Sequence, residues 1–480
     1  MTDADRYRSP LGTRYSSPAM QRLWGEAYRI GLWRRVWLAL AESEKELGLD
    51  IPDAALAAMR AHLDDADLAQ AAKYEKEFRH DVMAHVHHFG DQAAAAKPII
   101  HLGATSAFVT DNADVLVIRE ALRIVLGRVL NTLASFEQFA RRYAGLPCLA
   151  YTHFQPAQLT TVGKRATLWM QDLALDVEEL VHRLETIRLR GCKGTTGTQA
   201  SFLELFKGDH AKVRELERKI AQKLGLPRVY PVTGQTYSRK GDSVVLDTLS
   251  GIAQSASKMA TDLRLLQHEG ELLEPFEKNQ IGSSAMAYKR NPMRAERICG
   301  LGRFVMSLQA NGSQTAATQW LERTLDDSAN RRLTLPEAFL ATDAILLLAS
   351  NIAGGLEVRE PVIEKHVAAQ MPFMATERWL MLGVESGGDR QALHEVIRQN
   401  SLATAEAVSR GEPNNLLERL AADRTFAKVP TGTLQAELDP VRYTGRSKEQ
   451  VAEFLDEYLA PLMARALPLA AEVGAGEIVV

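Results

Sequence analysis

Three runs of apolar residues, each recurring at intervals of three and four, constrain this chain more than any other feature. Val115, Ile118, Leu122, Val125, Val129, Leu133, Phe136 and Ala140 form the first run. Trp169, Leu173, Val177, Leu180, Leu184 and Ile187 form the second, and Val245, Leu249, Ile252, Ala256, Met259, Leu263 and Leu266 the third. That period lays a stripe along one helix face, and a stripe sustained so far requires several helical neighbours to cover it. If such helices reach about thirty residues, each spans roughly 45 Å. No stretch alternates apolar and polar residues with comparable strength, so the expected class is all-α with a central long-helix bundle. Helices this long commonly belong to oligomeric assemblies.

At 480 residues the chain exceeds one small core. Changes in pattern divide it into an N-terminal helical domain at residues 1–111, the central bundle at 112–360, and a C-terminal helical domain at 361–480. The last is punctuated by Gly387-Gly388, Gly411-Glu412-Pro413 and Pro430-Thr431-Gly432. Locally, Trp24, Tyr28, Leu32 and Trp33 suggest one helix, and Ser447 with Gln450 resembles a capping box. Pro156 is expected to start the second long helix, which would place His153 at a helix mouth.

Composition narrows the function classes. A net charge of -3 gives no electrostatic case for nucleic acid or a membrane surface as partner. The N-terminal residues show no apolar signal core, and no window approaches roughly 18 uninterrupted apolar residues, so a cytoplasmic protein is expected. Cys148, Cys192 and Cys299 are too scattered for a disulfide frame or a thiolate metal site and read as reduced packing residues.

The chemically densest stretch is residues 282 to 297, Gly282-Ser283-Ser284-Ala285-Met286-Ala287-Tyr288-Lys289-Arg290-Asn291-Pro292-Met293-Arg294-Ala295-Glu296-Arg297. Its first half reads as a loop. Its second half reads as a helix start with Asn291 as N-cap and Pro292 at the first helical position, leaving a helix N-terminus where an anion could sit. Elsewhere, His80, His87 and His88 could share a helix face, but no His-Glu-x-x-His pattern accompanies them and no metal is expected. The glycine-rich residues 191–199 match neither the dinucleotide nor the phosphate-loop pattern. Residues 322–332, taken alone, read as a solvated helix end. A Gly-x-Ser-x-Gly elbow is absent. Hydroxyls, imidazoles, carboxylates and arginines in the connections between long helices suit acid/base catalysis on an anionic substrate without a cofactor.

Ser283-Ser284-x-Met286-x-x-Lys289-x-Asn291 with Glu296 resembles the signature of the fumarase/aspartase superfamily. Further motifs follow in order across nearly the whole chain: Thr13-Arg14-Tyr15, Arg79-His80-Asp81, Thr152-His153-Phe154-Gln155, Lys193-Gly194-Thr195-Thr196-Gly197 and Arg323-Thr324-Leu325-Asp326-Asp327-Ser328. Together they are similar to the adenylosuccinate lyase family, on the side close to the animal enzymes. The resemblance implies a helical homotetramer with active sites shared between subunits. It also implies a nucleotide substrate, adenylosuccinate or its succinyl-aminoimidazole-carboxamide analogue, from which fumarate is eliminated in purine biosynthesis.

By the same resemblance Ser283 is the base, Lys289 and Asn291 hold the developing charge, His153 is the acid, and Glu296 orients His153. Arg14, Tyr15, Arg297, Ser328 and Arg332 would hold phosphate and ribose. Arg79, His80, Asp81, Thr105, Ser106, Gln235 and Arg323 would line the remaining pocket. Arginine forks match phosphate and carboxylate geometry. The alternatives are another fumarate-releasing lyase, a related cycloisomerase, or a catalytically decayed helical scaffold. Arg14, Arg297 and Arg332 argue against the first two, and the intact acid, base and cation set argues against the third. One departure stands out: the family usually has proline where this chain has Ala287, so its loop should be less constrained.

Overall fold

The computed structural model describes residues 5–474. A single helical turn at Leu11–Tyr15 leads into α1 (Pro18–Trp24), α2 (Glu26–Glu46), α3 (Asp53–Ala61), α4 (Leu68–Phe78) and α5 (Asp81–Gln92). Next come α6 (Ser106–Arg142), the hairpin β1 (Pro147–Thr152) and β2 (Gln155–Thr161), α7 (Val162–Thr186), α8 (Ala200–Leu205), α9 (His210–Lys223) and α10 (Lys240–His268). The short strands β3 (Leu272–Leu273) and β4 (Glu357–Val358) pair antiparallel around α11 (Met293–Ala317) and α12 (Asp326–Gly355), and α13 (Glu360–Met374) opens a run of shorter helices to residue 466.

The three apolar stripes fall on α6, α7 and α10, with Ile187 just past the end of α7. All but Val115, which belongs to a second cluster, meet in or pack against one continuous core with α11 and α12. α12 shows why it carries no stripe in the sequence: it is buried nearly all round, so residues 344–349 form an apolar run instead of a repeat. By length and composition α12 would pass for a membrane span, but 72% of its apolar window lies inside the protein, among α6, α10 and α11. A second apolar cluster joins α2, α3, α5 and the start of α6 to Leu189, Phe202, Leu216 and Ile220, and a third lies between Ala375 and Leu434.

Four local expectations need correction. The segment with Trp24, Tyr28, Leu32 and Trp33 is two helices, because Gly25 takes an extended conformation between α1 and α2. Ser447 makes no capping box; its hydroxyl donates to the Thr444 carbonyl and the helix from Ser447 has no side-chain cap. Pro156 does not begin a helix but pairs with Tyr151 in the hairpin, and α7 begins at Val162. His153 therefore sits in a two-residue turn, with His153 at φ +54° and Phe154 at φ +57°. Two consecutive left-handed residues are what a twist-matched hairpin turn demands, and without Gly or Asn the sequence carries no sign of it. The fourth is the start of α11, where Asn291 is not the N-cap and Pro292 takes that position.

The direction of the long helices sorts the connections to two ends. α10 begins beside α6 and α12, where Arg239 meets Asp111 and Asp327. It ends where β3 pairs with β4 and Glu274 meets the start of α11. At 29 residues, α10 separates these ends by about 44 Å.

Candidate active site

The predicted site residues divide between those two ends. At the α10 start, Arg79, His80, Asp81, Thr105, Ser106, Gln235, Arg323, Ser328 and Arg332 all line one cavity of about 1060 Å³. Arg79 lies in the left-handed region between α4 and α5, at φ +55°. The His80 ring caps α5, its Nδ1 accepting the Met83 N–H at 3.3 Å, while Nε2 lies 3.4 Å from the Ser106 hydroxyl. Arg332 pairs with Asp81 at 2.9 Å on the rim.

The cavity floor is a charge lattice that sequence reasoning missed. Arg239 bridges Asp111 and Asp327, Arg323 reaches Asp327 at 2.7 Å, and Arg331 joins Asp242 at 2.7 Å, Asp114 at 3.0 Å and the Tyr237 hydroxyl at 2.7 Å. Residues 322–332 are thus not a solvated helix end. Asp327 is almost wholly buried, and a buried charge persists only when it is paired and hydrogen-bonded. Arg239 and Arg331 lie inside polar stretches visible in the sequence. Arg29, which also lines the cavity and stacks on Trp33, had no signal because it lies within the α2 pattern.

The histidines after Asp81 scatter to separate partners. Burial pushes His85 down to about 4, with His88 and Arg34 adding to the effect, and its ring meets Trp33 edge-on. His88 accepts the Asp67 N–H, and His87 packs on Phe78. Among the described residues, no three His, Cys, Asp or Glu side chains come together as a metal site.

The other end carries Ser283, Lys289, Asn291 and Glu296. Here the structure corrects the reading of Asn291 as an N-cap: its Nδ2 donates to the Gly282 carbonyl at 2.7 Å, and Pro292 occupies the cap position with no side-chain bond. The first N–H groups of α11 are already taken. Glu274 accepts Arg294 N–H through both oxygens and Ala295 N–H at 3.0 Å, so the expected anion site holds the protein's own carboxylate. Burial raises Glu274 above the usual carboxylate range, and those two N–H groups oppose the shift.

The loop between is a closed neck. A Cβ on Gly282 would meet the Lys289 carbonyl oxygen at 2.1 Å, so only glycine lets the two strands of the neck touch. The Ser283 hydroxyl accepts the Met286 N–H at 3.1 Å, and Lys289 N–H closes a turn onto the Met286 carbonyl. Two arginines anchor the stem. Arg290 forms a fork with Glu357 at 2.7 and 3.1 Å above the Phe276 ring, and Arg294 pairs with Glu277 at 2.6 Å. Glu296 is exposed on the first turn of α11, Arg297 stacks over Tyr15 at 5.7 Å, and Arg14 is exposed beside it.

His153 stands at the same end, exposed at the hairpin tip, whose strand β1 touches Glu271 just beyond α10. Within one chain, then, a hydroxyl, an ammonium, an imidazole and a carboxylate gather at one end, and the cavity lies at the other. The first set can move protons and the second can hold a polar, charged small molecule. α10, at about 44 Å, runs between the two ends.

With this geometry in hand, comparison with known proteins identifies the lineage. Residues 4–307 match the family model described as Lyase, and residues 372–454 match Adenylosuccinate lyase C-terminus. The chain is 50% identical over 461 residues to adenylosuccinate lyase of Saccharomyces cerevisiae, covering 95% of each chain. It is 48% identical to that of Schizosaccharomyces pombe, covering 97% of each. In fold it is similar to the 3-carboxy-cis,cis-muconate lactonizing enzyme from Pseudomonas putida, with a TM-score of 0.80 and 23% identity over 96% of this chain and 99% of that one. On these grounds the chain belongs to the adenylosuccinate lyase family of the fumarase/aspartase superfamily.

Proposed function

We propose that this protein eliminates fumarate from adenylosuccinate to give AMP, and from the succinyl-aminoimidazole-carboxamide ribonucleotide by the same chemistry, without a cofactor. The observation that carries this reading is the near-full-length identity to adenylosuccinate lyases, with the C-terminal match described by that name.

The reaction removes a proton from the carbon beside a carboxylate and expels an amine nitrogen. Ser283 takes the proton. Negative charge then builds on the carboxylate, and holding it is the hard step, which falls to the Lys289 ammonium and the Asn291 amide. His153 gives a proton to the departing nitrogen, and Glu296 orients the imidazole. The cavity lined by Arg79, His80, Asp81, Thr105, Ser106, Gln235 and Arg323 receives the nucleotide, with Ser328 and Arg332 at its edge and Arg14, Tyr15 and Arg297 supplied from the loop end.

The separation of the two ends supports a shared site: one chain's loop and hairpin work on substrate held in another chain's cavity. The assembly is a homotetramer built on the long helices, working in the cytoplasm. The division into units at 1–111, 112–360 and 361–480 is part of this proposal, although packing crosses its bounds: Leu189 to Tyr237 pack with α2, α3 and α5, and Ile363, Met371 and Val451 pack on the central bundle.

An ultraviolet assay of adenylosuccinate loss tests the reading. Wild type is active, and Ser283→Ala and His153→Ala each lose roughly 10²-fold to 10⁴-fold in kcat. An inert wild type, or either variant at full activity, overturns the assignment.

A further inference from the structure

The hairpin that carries His153 rests on a buried carboxylate. The Glu271 side chain is 1% exposed and lies where four segments converge. Its Oε1 accepts from the Tyr151 hydroxyl on β1 at 3.4 Å and lies 2.9 Å from Nδ1 of His366 on α13. Its Oε2 lies 3.7 Å from Arg165 on α7 and has no hydrogen-bond partner. The Glu271 main chain is tied as well, its carbonyl accepting the Arg359 N–H at 2.9 Å.

Each partner bears on the turn. Arg165 donates to the Leu149 carbonyl of β1 and lies over the Tyr151 ring at 5.9 Å. The Tyr151 ring packs on Phe154 at 5.6 Å, and Phe154 is the other half of the two-residue turn. The pairing shifts register between Ala150 and Tyr151, where β2 carries the extra residue Ala157, and such a bulge re-aims a strand beside a site. A histidine and a phenylalanine in successive left-handed positions are unfavourable alone, so the surrounding structure must impose the turn. A half-satisfied buried carboxylate is also a poor stabiliser, since burial costs more than such a pair returns. Both costs become intelligible if Glu271 aims the imidazole.

We propose that Glu271 is a positioning residue for His153: held by His366 and Arg165, it fixes Tyr151 and, through the Tyr151–Phe154 contact, the turn that presents the imidazole. This rests on His153 being the proton donor of the proposed elimination. A misaimed donor impairs the chemical step while leaving the distant cavity unaltered, and displacements of about 1 Å cost about 10²-fold.

The test compares Glu271→Gln, Tyr151→Phe, His153→Asn and the double variant Glu271→Gln with His153→Asn. Each is first verified for folding by circular dichroism and for assembly by size exclusion. Glu271→Gln loses 10-fold to 100-fold in kcat on adenylosuccinate with KM changed less than about three-fold, and Tyr151→Phe loses less with the same split. In the double variant the Glu271 change adds nothing to the His153 loss, because both act through one imidazole, whereas a purely structural defect would multiply with it. A folded Glu271→Gln with wild-type kcat overturns the proposal, as does a loss that multiplies in the double variant. If Glu271→Gln does not fold, Tyr151→Phe decides, and its unchanged kcat overturns the proposal. Full activity in His153→Asn instead defeats the assignment of His153 as donor.

Discussion

Ala287 shows how a single residue can be read in the sequence and explained only in the structure. It is the first central residue of the turn closed by Lys289 N–H onto the Met286 carbonyl. Proline is favoured there, since its fixed φ suits the turn. Ala287→Pro therefore removes unfolded-loop freedom worth about 0.4–1 kcal/mol. The expected outcome is slower amide exchange across residues 284–289 and a kcat/KM higher by about two-fold to five-fold; unchanged exchange contradicts it. Glu44 makes a second case. It is fully buried on α2 with neither carboxylate oxygen hydrogen-bonded among the described residues, and burial pushes it up to about 9. Unfolded, the carboxyl ionises near its ordinary value of 4.5. The stability carried by the neutral form is complete below that value and drains as pH rises toward about 9, by at most ~1.4 kcal/mol per pH unit. Thermal midpoints of Glu44→Gln should fall less than those of wild type between pH 6 and 8.5, and parallel curves refute a neutral buried carboxyl.

Among elements, α11 depends on a residue far from its own sequence start. Asn291 and Pro292 look like its beginning, yet Glu274 supplies the cap from 19 residues before Met293, arriving by the β3 turn. Side-chain capping from a distance leaves no local pattern, which is why the motif was legible and its partner was not. Glu274→Ala would strand the N–H groups of Arg294 and Ala295 in a buried position, costing about 1–3 kcal/mol. Differential scanning calorimetry should show the loss, and amide exchange in residues 282–292 should quicken as the stem loosens. The hairpin teaches the same lesson. Strand propensity in residues 147–161 is weak, and its turn lacks glycine, so the pairing follows from packing on α7, α13 and Glu271.

For the whole molecule, the signature loop and the hairpin lie at one end of the bundle, with Tyr15 and Arg297 beside the start of α11, and the cavity lies toward the other end. An antiparallel neighbour can bring one chain's loop beside another's cavity. Two inactive variants therefore complement each other: Ser283→Ala spoils only the loop end and Arg323→Ala only the cavity end, so mixed assemblies contain some sites with both ends intact. Activity should return after the two proteins are mixed, unfolded and refolded together. Its failure to return, with each variant folded and assembled alone, refutes a shared site.

By itself, the sequence determined the helical class, three of the five bundle helices and the residues of the signature loop, because a 3.6-residue period and a dense polar motif are local properties. It also supplied the nine cavity residues named from the resemblance, though not the charge lattice beneath them. Only the tertiary structure decided that α12 is a buried core helix, that Glu274 fills the anion site of α11, and that His153 rides on a hairpin above Glu271. Each of these depends on which distant groups burial forces together. A buried carboxylate or N–H must find a partner wherever the fold provides one, and no spacing along the chain records that choice.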